Sequence, residues 1–227
     1  MLTLILGEAE LELVPPSIAS HPAIVASARQ RKKKTTHIIL DASFHHSAMK
    51  KLEEGRRRGR PDITHIFLLT ALDSIVNKRG EMNTIIHTRN NQAIYINPET
   101  RLIRHYPRFI GLMEQLFEKK IVGTEDKILL RLEEDVTLEK LVDEVKPDIT
   151  IVLAVNGRRV NLPDYFNDLK KNNYKHILCV VGGFPSGGFH CKLKDFADDI
   201  VSIYDEMITA WTAASEIIVN YENTFMR

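Results

Sequence analysis

The stretch HILCVVGGFPSGGF, from His176 to Phe189, decides the fold. Residues 177–181 form an uninterrupted apolar run, which predicts a strand buried on both faces, as in a parallel sheet. At Gly182 the pattern changes to a loop that is rich in glycine and contains a proline. Open α/β sheets bind their ligands beyond the carboxyl ends of such strands. The stretch therefore predicts an α/β fold with a candidate ligand site at this loop.

The glycine loop does not match a common phosphate-binding motif. Glycine allows the backbone to approach a ligand closely and to adopt positive φ without steric cost. The loop has no Gly-Lys-Ser/Thr ending of a P-loop, and its glycines do not have the dinucleotide-binding spacing. A ligand-binding loop and a mobile surface loop therefore remain as two interpretations.

Composition indicates an ordinary globular chain. With 227 residues it can bury a core as one large domain or two small ones. The net charge of +1 means that an anionic partner must be bound by a local basic patch. The two cysteines, Cys179 and Cys191, give no disulfide framework. Because no apolar run has the length of a membrane span and no signal peptide is evident, we expect a cytoplasmic protein without membrane contact.

The remaining apolar runs alternate with helical patterns. Further strands are predicted at 2–6, 37–40, 66–69, 127–132, 149–155 and 200–203. Helices are predicted after Ser20, after Ser43 or Ser47, from Pro107, after Thr137, from Pro163 and over about 205–221. The segment 37–69 is interpreted as a βαβ unit with a right-handed crossover. We expect an open, mostly parallel sheet flanked by helices, in a single domain over 1–227.

A β-hairpin and an arginine-rich segment are predicted at about 84–108. Alternating runs from Thr84 to Thr88 and from Ala93 to Asn97 flank a turn-prone sequence. Three arginines follow at spacings of three and four residues: Arg101, Arg104 and Arg108. The planar guanidinium suits phosphate and base-edge recognition, whereas a solvated surface is the alternative.

Two other polar patterns receive simpler interpretations. The basic run RQRKKK at 29–34 suits a solvated helix C-terminus, and a phosphate contact is the alternative. His45 and His46 point to different faces of a helix, and no further ligand stands at a metal-binding spacing. We therefore expect no metal site.

Several long motifs resemble one family, the ribosome-biogenesis pseudouridine-N1 methyltransferases of the SPOUT class, in particular its archaeal-type members. The motifs are GRPDITH at 59–65, ALDSIVNKRG at 71–80, IHTRNN at 86–91 and NPETRLIRHYPRFIGLMEQLF at 97–117, followed in the right order by VVGGFPSGGF at 180–189. The resemblance covers nearly the whole chain and is weakest over 122–159.

The resemblance implies a fold and an activity that the patterns alone do not show. It implies an open α/β sheet with a C-terminal trefoil knot, S-adenosylmethionine as cofactor and a homodimer. It further implies methylation of N1 of one pseudouridine in small-subunit ribosomal RNA and a role in assembling that subunit, with ribosome assembly proteins as candidate partners. Two other classes remain: a non-catalytic rRNA-binding assembly factor that uses the same arginines, and a nucleotide- or sugar-binding α/β enzyme.

The resemblance also assigns site residues. The cofactor-binding residues would be Gly182, Gly187, Ile200, Val201, Ser202, Ile203 and Tyr204. A third wall would lie at Asn156, Gly157 and Arg158, where the chain departs from the family's more common Gly-Thr-Ser pattern.

On the RNA side, the resemblance assigns binding to Arg60, Arg101, Arg104 and Arg108. Arg60 and Asp62 belong to the Arg-Pro-Asp motif and are the candidate catalytic residues. Asp62 can orient Arg60 through a charge-assisted bond. Asp62, Asp41 and Asp73 are candidate proton acceptors, because each lies in a loop or at the end of a predicted strand.

Overall fold

The computed structural model describes residues 1–124 and 126–226, which form one eight-stranded sheet with helices on both faces. The strands are β1 (Leu2–Ala9), β2 (Met82–Thr88), β3 (Ala93–Ile96), β4 (Ile121–Thr124), β5 (Lys127–Glu133), β6 (Ile149–Arg159), β7 (Ile177–Gly182) and β8 (Asp199–Ser202). Their order across the sheet is β4-β5-β3-β2-β1-β7-β6-β8. The predicted α/β class is confirmed.

The sheet has a parallel part and an antiparallel extension. Strands β2, β1, β7, β6 and β8 run parallel to one another, with β1 and β7 in the interior of this part. The predicted hairpin is confirmed, because Thr84 pairs with Ile96 and His87 with Ala93 in antiparallel register. Beyond it lie β5, which was predicted, and the short exposed edge strand β4, which was not.

The helices lie on both faces of the sheet. They are α1 (Pro22–Arg31), α2 (Ala42–Met49), α3 (Pro61–Leu72), α4 (Ile75–Lys78), α5 (Tyr106–Lys119), α6 (Leu138–Val145), α7 (Leu162–Lys171) and α8 (Ala210–Phe225). Leu4 and Leu6 of β1 face the cluster that holds α3, α5, α7 and α8, whereas Ile5 faces the cluster that holds α6. Helices α1 and α2 form a smaller third cluster.

The strand predicted at 66–69 is wrong, because these residues lie inside helix α3. Pro61 occupies the first turn together with Asp62, which is the arrangement typical of a helix start. Phe67 and Leu68 are fully buried, and the exposed position beside them also carries an apolar residue, Ile66, so the helix is apolar almost all round. A short apolar run does not distinguish such a helix from a buried strand.

The strand predicted at 37–40 is also wrong, and the βαβ unit over 37–69 is therefore absent. Residues Ile38–Leu40 are buried, but they pair only with the chain that leaves β1, through a single antiparallel bridge between Leu13 and Ile39. This local pairing satisfies the backbone without adding a strand to the sheet.

Helix starts follow local capping chemistry. Thr137 caps α6 as predicted, since its hydroxyl accepts the Lys140 N–H at 3.2 Å. The imidazole of His21, rather than the predicted Ser20, caps α1. The last helix begins at Ala210, later than predicted, and leaves residues 203–209 outside regular structure.

Candidate active site

The carboxyl ends of β6, β7 and β8 open into one cavity of about 750 Å³. Three segments of the chain provide most of its lining: 153–158 in the second half of β6, parts of 181–189 at and after β7, and 200–208 at and after β8. All seven predicted cofactor-binding residues are among its lining: Gly182, Gly187, Ile200, Val201, Ser202, Ile203 and Tyr204. The structure therefore brings together residues that are far apart in sequence.

The wall that β6 contributes is a bulge within the strand. Leu153 and Arg158 both pair with Val201, so residues 154–157 are looped out towards the cavity. Gly157 allows this, because a Cβ there would lie 2.6 Å from the Val201 carbonyl carbon. The Asn156-Gly157-Arg158 sequence thus forms the third wall despite its departure from the family pattern.

The glycine loop is fixed at its beginning to the end of β1. Gly183 donates its N–H to the Gly7 carbonyl at 2.8 Å, and the Gly183 carbonyl accepts the Glu10 N–H at 3.1 Å. A Cβ on Gly183 would meet the Ala9 Cα at 2.6 Å. The beginning of the glycine loop is therefore fixed to β1 and is not a mobile surface loop.

The lining combines apolar side chains with a few charges. Phe184 and Phe189 pack edge to face with ring centroids 5.2 Å apart, and Met207 and Ile208 add apolar surface. The charged lining side chains are Arg158, Lys194 and Glu206. An apolar cavity with a few polar groups is typical of small-molecule sites.

Arg60 and Asp62 form a second polar site at the start of α3. The guanidinium of Arg60 donates to both Asp62 carboxylate oxygens, at 2.8 and 2.7 Å, so the predicted charge-assisted bond is present. This hydrogen bonding raises the pKa of Arg60 above its ordinary value.

The Tyr106 hydroxyl donates to Asp41 at 2.7 Å, and burial together with this bond raises the pKa of Tyr106.

The cavity and the Arg60 site meet at one backbone residue. Glu10 donates its N–H to Gly183, and its carbonyl accepts the Arg60 N–H at 2.9 Å. The glycine loop and the Arg60 loop are therefore hydrogen-bonded to opposite sides of the same peptide segment, just beyond β1.

Comparisons with known proteins match this geometry. The family model described as EMG1/NEP1 methyltransferase matches residues 4–222. The chain belongs to this family. It is 51% identical to the Ribosomal RNA small subunit methyltransferase Nep1 of Pyrococcus furiosus, over 97% of this chain and 96% of the relative. Identity to the Nep1 of Methanothrix thermoacetophila is 46%, over 98% and 96%.

A solved structure extends the match to the fold. The crystal structure of Archaeoglobus fulgidus Nep1 bound to S-adenosylhomocysteine superposes with a TM-score of 0.87, at 35% identity and covering 99% of both chains. The sequence resemblance to this methyltransferase family is thereby confirmed.

The arginines that the family resemblance assigned to RNA are exposed. Arg101, Arg104 and Arg108 all lie at the surface, and Arg104 is 3.8 Å from Asp73. Within the described part of the chain, Arg101 and Arg108 form no ion pair. The backbone beneath them is fixed to α3, because the His65 imidazole bonds the Ile103 carbonyl at 2.9 Å.

The basic run at 29–34 has a structural use in this family member. Glu114 of α5 is buried and binds both Arg31, at 2.7 Å, and Lys33, at 3.0 Å. Its carboxylate also accepts the Ile39 N–H. These two cations therefore satisfy a buried carboxylate, and this contact fixes α1 to α5.

The three candidate proton acceptors differ in their surroundings. Asp41 is buried, and its oxygens accept from the Ser43 N–H and the Tyr106 hydroxyl. Asp73 is exposed and pairs with Lys78 at 2.5 Å. The Asp62 side chain is 39% exposed while it holds Arg60. Asp62 is thus both accessible and part of the Arg60 site.

Pattern reading missed a buried charge cluster between the two sites. We call Glu8, Glu10, Arg57 and Arg89 the Arg57 cluster; Glu8, Glu10 and Arg57 are at most 6% exposed. The available signal was the placement of carboxylates at every second position, 8, 10 and 12, which puts them on one side of an extended chain.

Over 1–124 and 126–226, no group of three or more His, Cys, Asp or Glu side chains could hold a metal ion. No helix in the same ranges has the length and apolar character needed to span a bilayer.

Proposed function

We propose that the chain is an S-adenosylmethionine-dependent methyltransferase that modifies N1 of a pseudouridine in small-subunit ribosomal RNA. One observation carries the proposal: the seven residues assigned to the cofactor line a single cavity, in a chain whose fold matches a relative bound to S-adenosylhomocysteine. A role in assembly of the small subunit is part of the proposal.

The cavity residues fit this cofactor. Its volume of about 750 Å³ lies in the range of small-molecule sites. Apolar and aromatic side chains suit the faces of the adenine ring, and charges of both signs, on Arg158, Lys194 and Glu206, suit the zwitterionic methionine end. The cofactor when bound supplies a methyl group on a sulfonium, which is an activated electrophile.

Because the methyl donor is already activated, the protein's task is to position the RNA base and to stabilise charge. N1 of pseudouridine loses its proton during methylation, and negative charge builds on the ring carbonyls. Arg60, held by two hydrogen bonds to Asp62, supplies a fixed positive charge that can stabilise the negative charge on these carbonyls. Asp62 is the proposed proton acceptor, because its side chain is 39% exposed within the Arg60 site, whereas Asp41 is buried. Asp73 is exposed but pairs with Lys78.

The proposal includes features that rest on the family resemblance. These are a single domain over 1–227, a C-terminal trefoil knot, a homodimer and a cytoplasmic location. Arg101, Arg104 and Arg108 would hold RNA phosphates, which is supported by their exposure on a fixed backbone segment. Ribosome assembly proteins are candidate partners, and no membrane contact is proposed.

Two RNAs that differ only in how one base is attached to its ribose test the activity. In uridine, N1 is the glycosidic nitrogen and has no proton to lose, whereas in pseudouridine the ring is attached through carbon and N1–H is free. We expect mass spectrometry to show methyl transfer to a small-subunit rRNA stem-loop that carries one loop pseudouridine. The same stem-loop with uridine should bind with similar affinity and receive no methyl group.

The result separates the proposal from its alternative. Methylation of the uridine RNA would contradict the assigned position on the base. RNA binding without methylation of either stem-loop would favour the non-catalytic assembly factor, which uses the same exposed arginines.

A further inference from the structure

The Arg57 cluster is a buried ionic network, and a gain in folding stability does not explain why it is present. The Arg57 Nε donates to Glu10 at 2.6 Å, and its Nη2 donates to Glu8 at 3.2 Å. Arg89 donates to the second oxygen of Glu10 at 2.8 Å. Buried ion pairs seldom stabilise a fold more than apolar residues of similar volume would, because the desolvation of charges offsets their attraction. Their geometry is therefore the more informative property.

One end of the cluster holds the glycine loop. The third nitrogen of Arg57, Nη1, donates to the Gly188 carbonyl at 2.6 Å, and the guanidinium lies 3.9 Å from the centre of the Phe184 ring. Glu8 accepts the N–H groups of His190, at 2.8 Å, and Cys191, at 2.9 Å. Because Phe184 and Gly188 line the cavity, the cluster positions a cavity wall.

The other end of the cluster holds the Arg60 loop. Arg57 precedes Arg60 by three residues on the same short segment. Glu10, which binds Arg57 through its side chain, also accepts the Arg60 N–H through its carbonyl. A change in the position of the glycine loop is thus transmitted to the Arg60 segment through hydrogen bonds of Arg57 and Glu10.

We infer that Arg57 is a positioning residue that couples the cofactor cavity to the RNA site, an inference that rests on the proposed function. Cofactor binding fixes the Phe184–Gly188 wall, and through Arg57 it fixes the segment that carries Arg60. Coupling of this kind is reciprocal, so RNA binding must strengthen cofactor binding by the same factor.

A matched pair of lysine substitutions tests the coupling. Lysine keeps the charge, but its single ammonium cannot reproduce the fork that spans Glu8, Glu10 and the Gly188 carbonyl. Arg57→Lys should therefore disrupt the link. Arg58→Lys is the control, because Arg58 makes a similar fork with Glu12, at 2.8 and 2.7 Å, and within the described residues it has no hydrogen bond to the glycine loop.

The readout is the affinity for S-adenosylhomocysteine, measured by calorimetry with and without the pseudouridine stem-loop. For the wild-type chain and for Arg58→Lys, we expect RNA to tighten cofactor binding by about tenfold. For Arg57→Lys, we expect weaker cofactor binding, and we expect RNA to leave the affinity for S-adenosylhomocysteine almost unchanged. Glu8→Gln removes the charge that binds Arg57 but keeps an acceptor oxygen for the N–H groups of the glycine loop. This variant should also lose the tightening of cofactor binding by RNA.

The outcomes separate coupling from mere support of the fold. A structural role would lower the melting temperatures of both lysine variants without changing the RNA-dependent factor. The inference is overturned if Arg57→Lys keeps the wild-type factor, if Arg58→Lys loses it equally, or if a wild-type chain that methylates RNA shows no such factor. The last result would leave the proposed function intact, whereas a wild-type chain that binds no cofactor analogue would contradict both.

Discussion

Gly187 differs from the other loop glycines in its backbone, because its φ of +83° lies in the left-handed region. A Cβ there would also lie 3.3 Å from the Arg57 Nη1, which is occupied by the Gly188 carbonyl. Gly111, on the exposed side of α5, is the opposite case, because its backbone is helical and a Cβ would meet no atom within 4 Å.

The same substitution at these two glycines should have opposite effects. We expect Gly187→Ala to lower the free energy of unfolding by about 1 kcal/mol and to weaken binding of S-adenosylhomocysteine, because the loop must shift to relieve the strain. Gly111→Ala should raise the free energy of unfolding by about 0.5–1 kcal/mol without changing that affinity. Chemical denaturation and calorimetry measure both quantities. Unchanged cofactor affinity in Gly187→Ala would remove this loop from the binding site.

At the scale of elements, the segment 101–108, which runs into the first turn of α5, carries the exposed arginines as a unit. Alanine at Arg101, Arg104 or Arg108 should weaken RNA binding and reduce the slope of log affinity against log salt by about one for each arginine that neutralises a phosphate. Affinity for the cofactor should not change. The measurement is a salt titration of binding to the stem-loop.

Arg131→Ala is the control for these changes, because Arg131 stacks 4.4 Å from the Tyr95 ring, whose side chain packs against the α6 side of the sheet. We expect it to leave RNA affinity and the salt slope unaltered. If all three arginine variants behave like this control, the arginines belong to a solvated surface.

The sequence predicted the elements that have a clear local signal and misassigned or missed those that lack one. Strand β7 was predicted correctly because its apolar run ends in glycine, and α6 because Thr137 caps it. The run at 66–69 was misassigned, because periodicity disappears when a helix is buried almost all round. Strand β4 carries no signal, since its side chains are mostly exposed and its pairing depends on β5.

The candidate active site, like the fold, was predicted only in part. Local pattern indicated the glycine loop and the exposed arginines at 101, 104 and 108, and the family resemblance added residues 200–204 and Arg60. The Arg57 cluster joins residues near 8, 57 and 89 with the loop at 188, and such pairing between distant segments is set by the tertiary fold. The individual charges look like ordinary surface residues until the fold buries them.

For the whole molecule, histidines that lose solvent on folding contribute to the response to acid. Burial lowers the pKa of His87 below its ordinary value of 6.5, and it also lowers the pKa values of His45 and His176. His87 uses both ring nitrogens, since Nδ1 accepts the Glu8 N–H and Nε2 bonds the Val136 carbonyl. The unfolded chain therefore binds protons at these residues at a higher pH than the folded chain does.

It follows that stability rises with pH across the histidine range. The free energy of unfolding should fall as the pH is lowered through about 6.5, and it should stop falling below the folded-state pKa values. Denaturation midpoints at about pH 7.5 and about pH 5.5 measure this difference. We expect His87→Gln to reduce the difference, and the same change at exposed His46 to preserve it. A wild-type midpoint that is constant over this range would contradict the prediction.

The central place of β1 in the sheet has a consequence for how the chain is made. Leu2 pairs on one side with Met82 and on the other with Ile177. At synthesis rates of roughly 5 to 20 residues per second, β1 leaves the ribosome about 10 to 35 seconds before the strand that completes its pairing. During that interval an apolar strand has one edge without its native partner, and such an edge can pair with another chain. Synonymous codons that slow translation between β2 and β7 should therefore lower soluble yield without altering the finished protein.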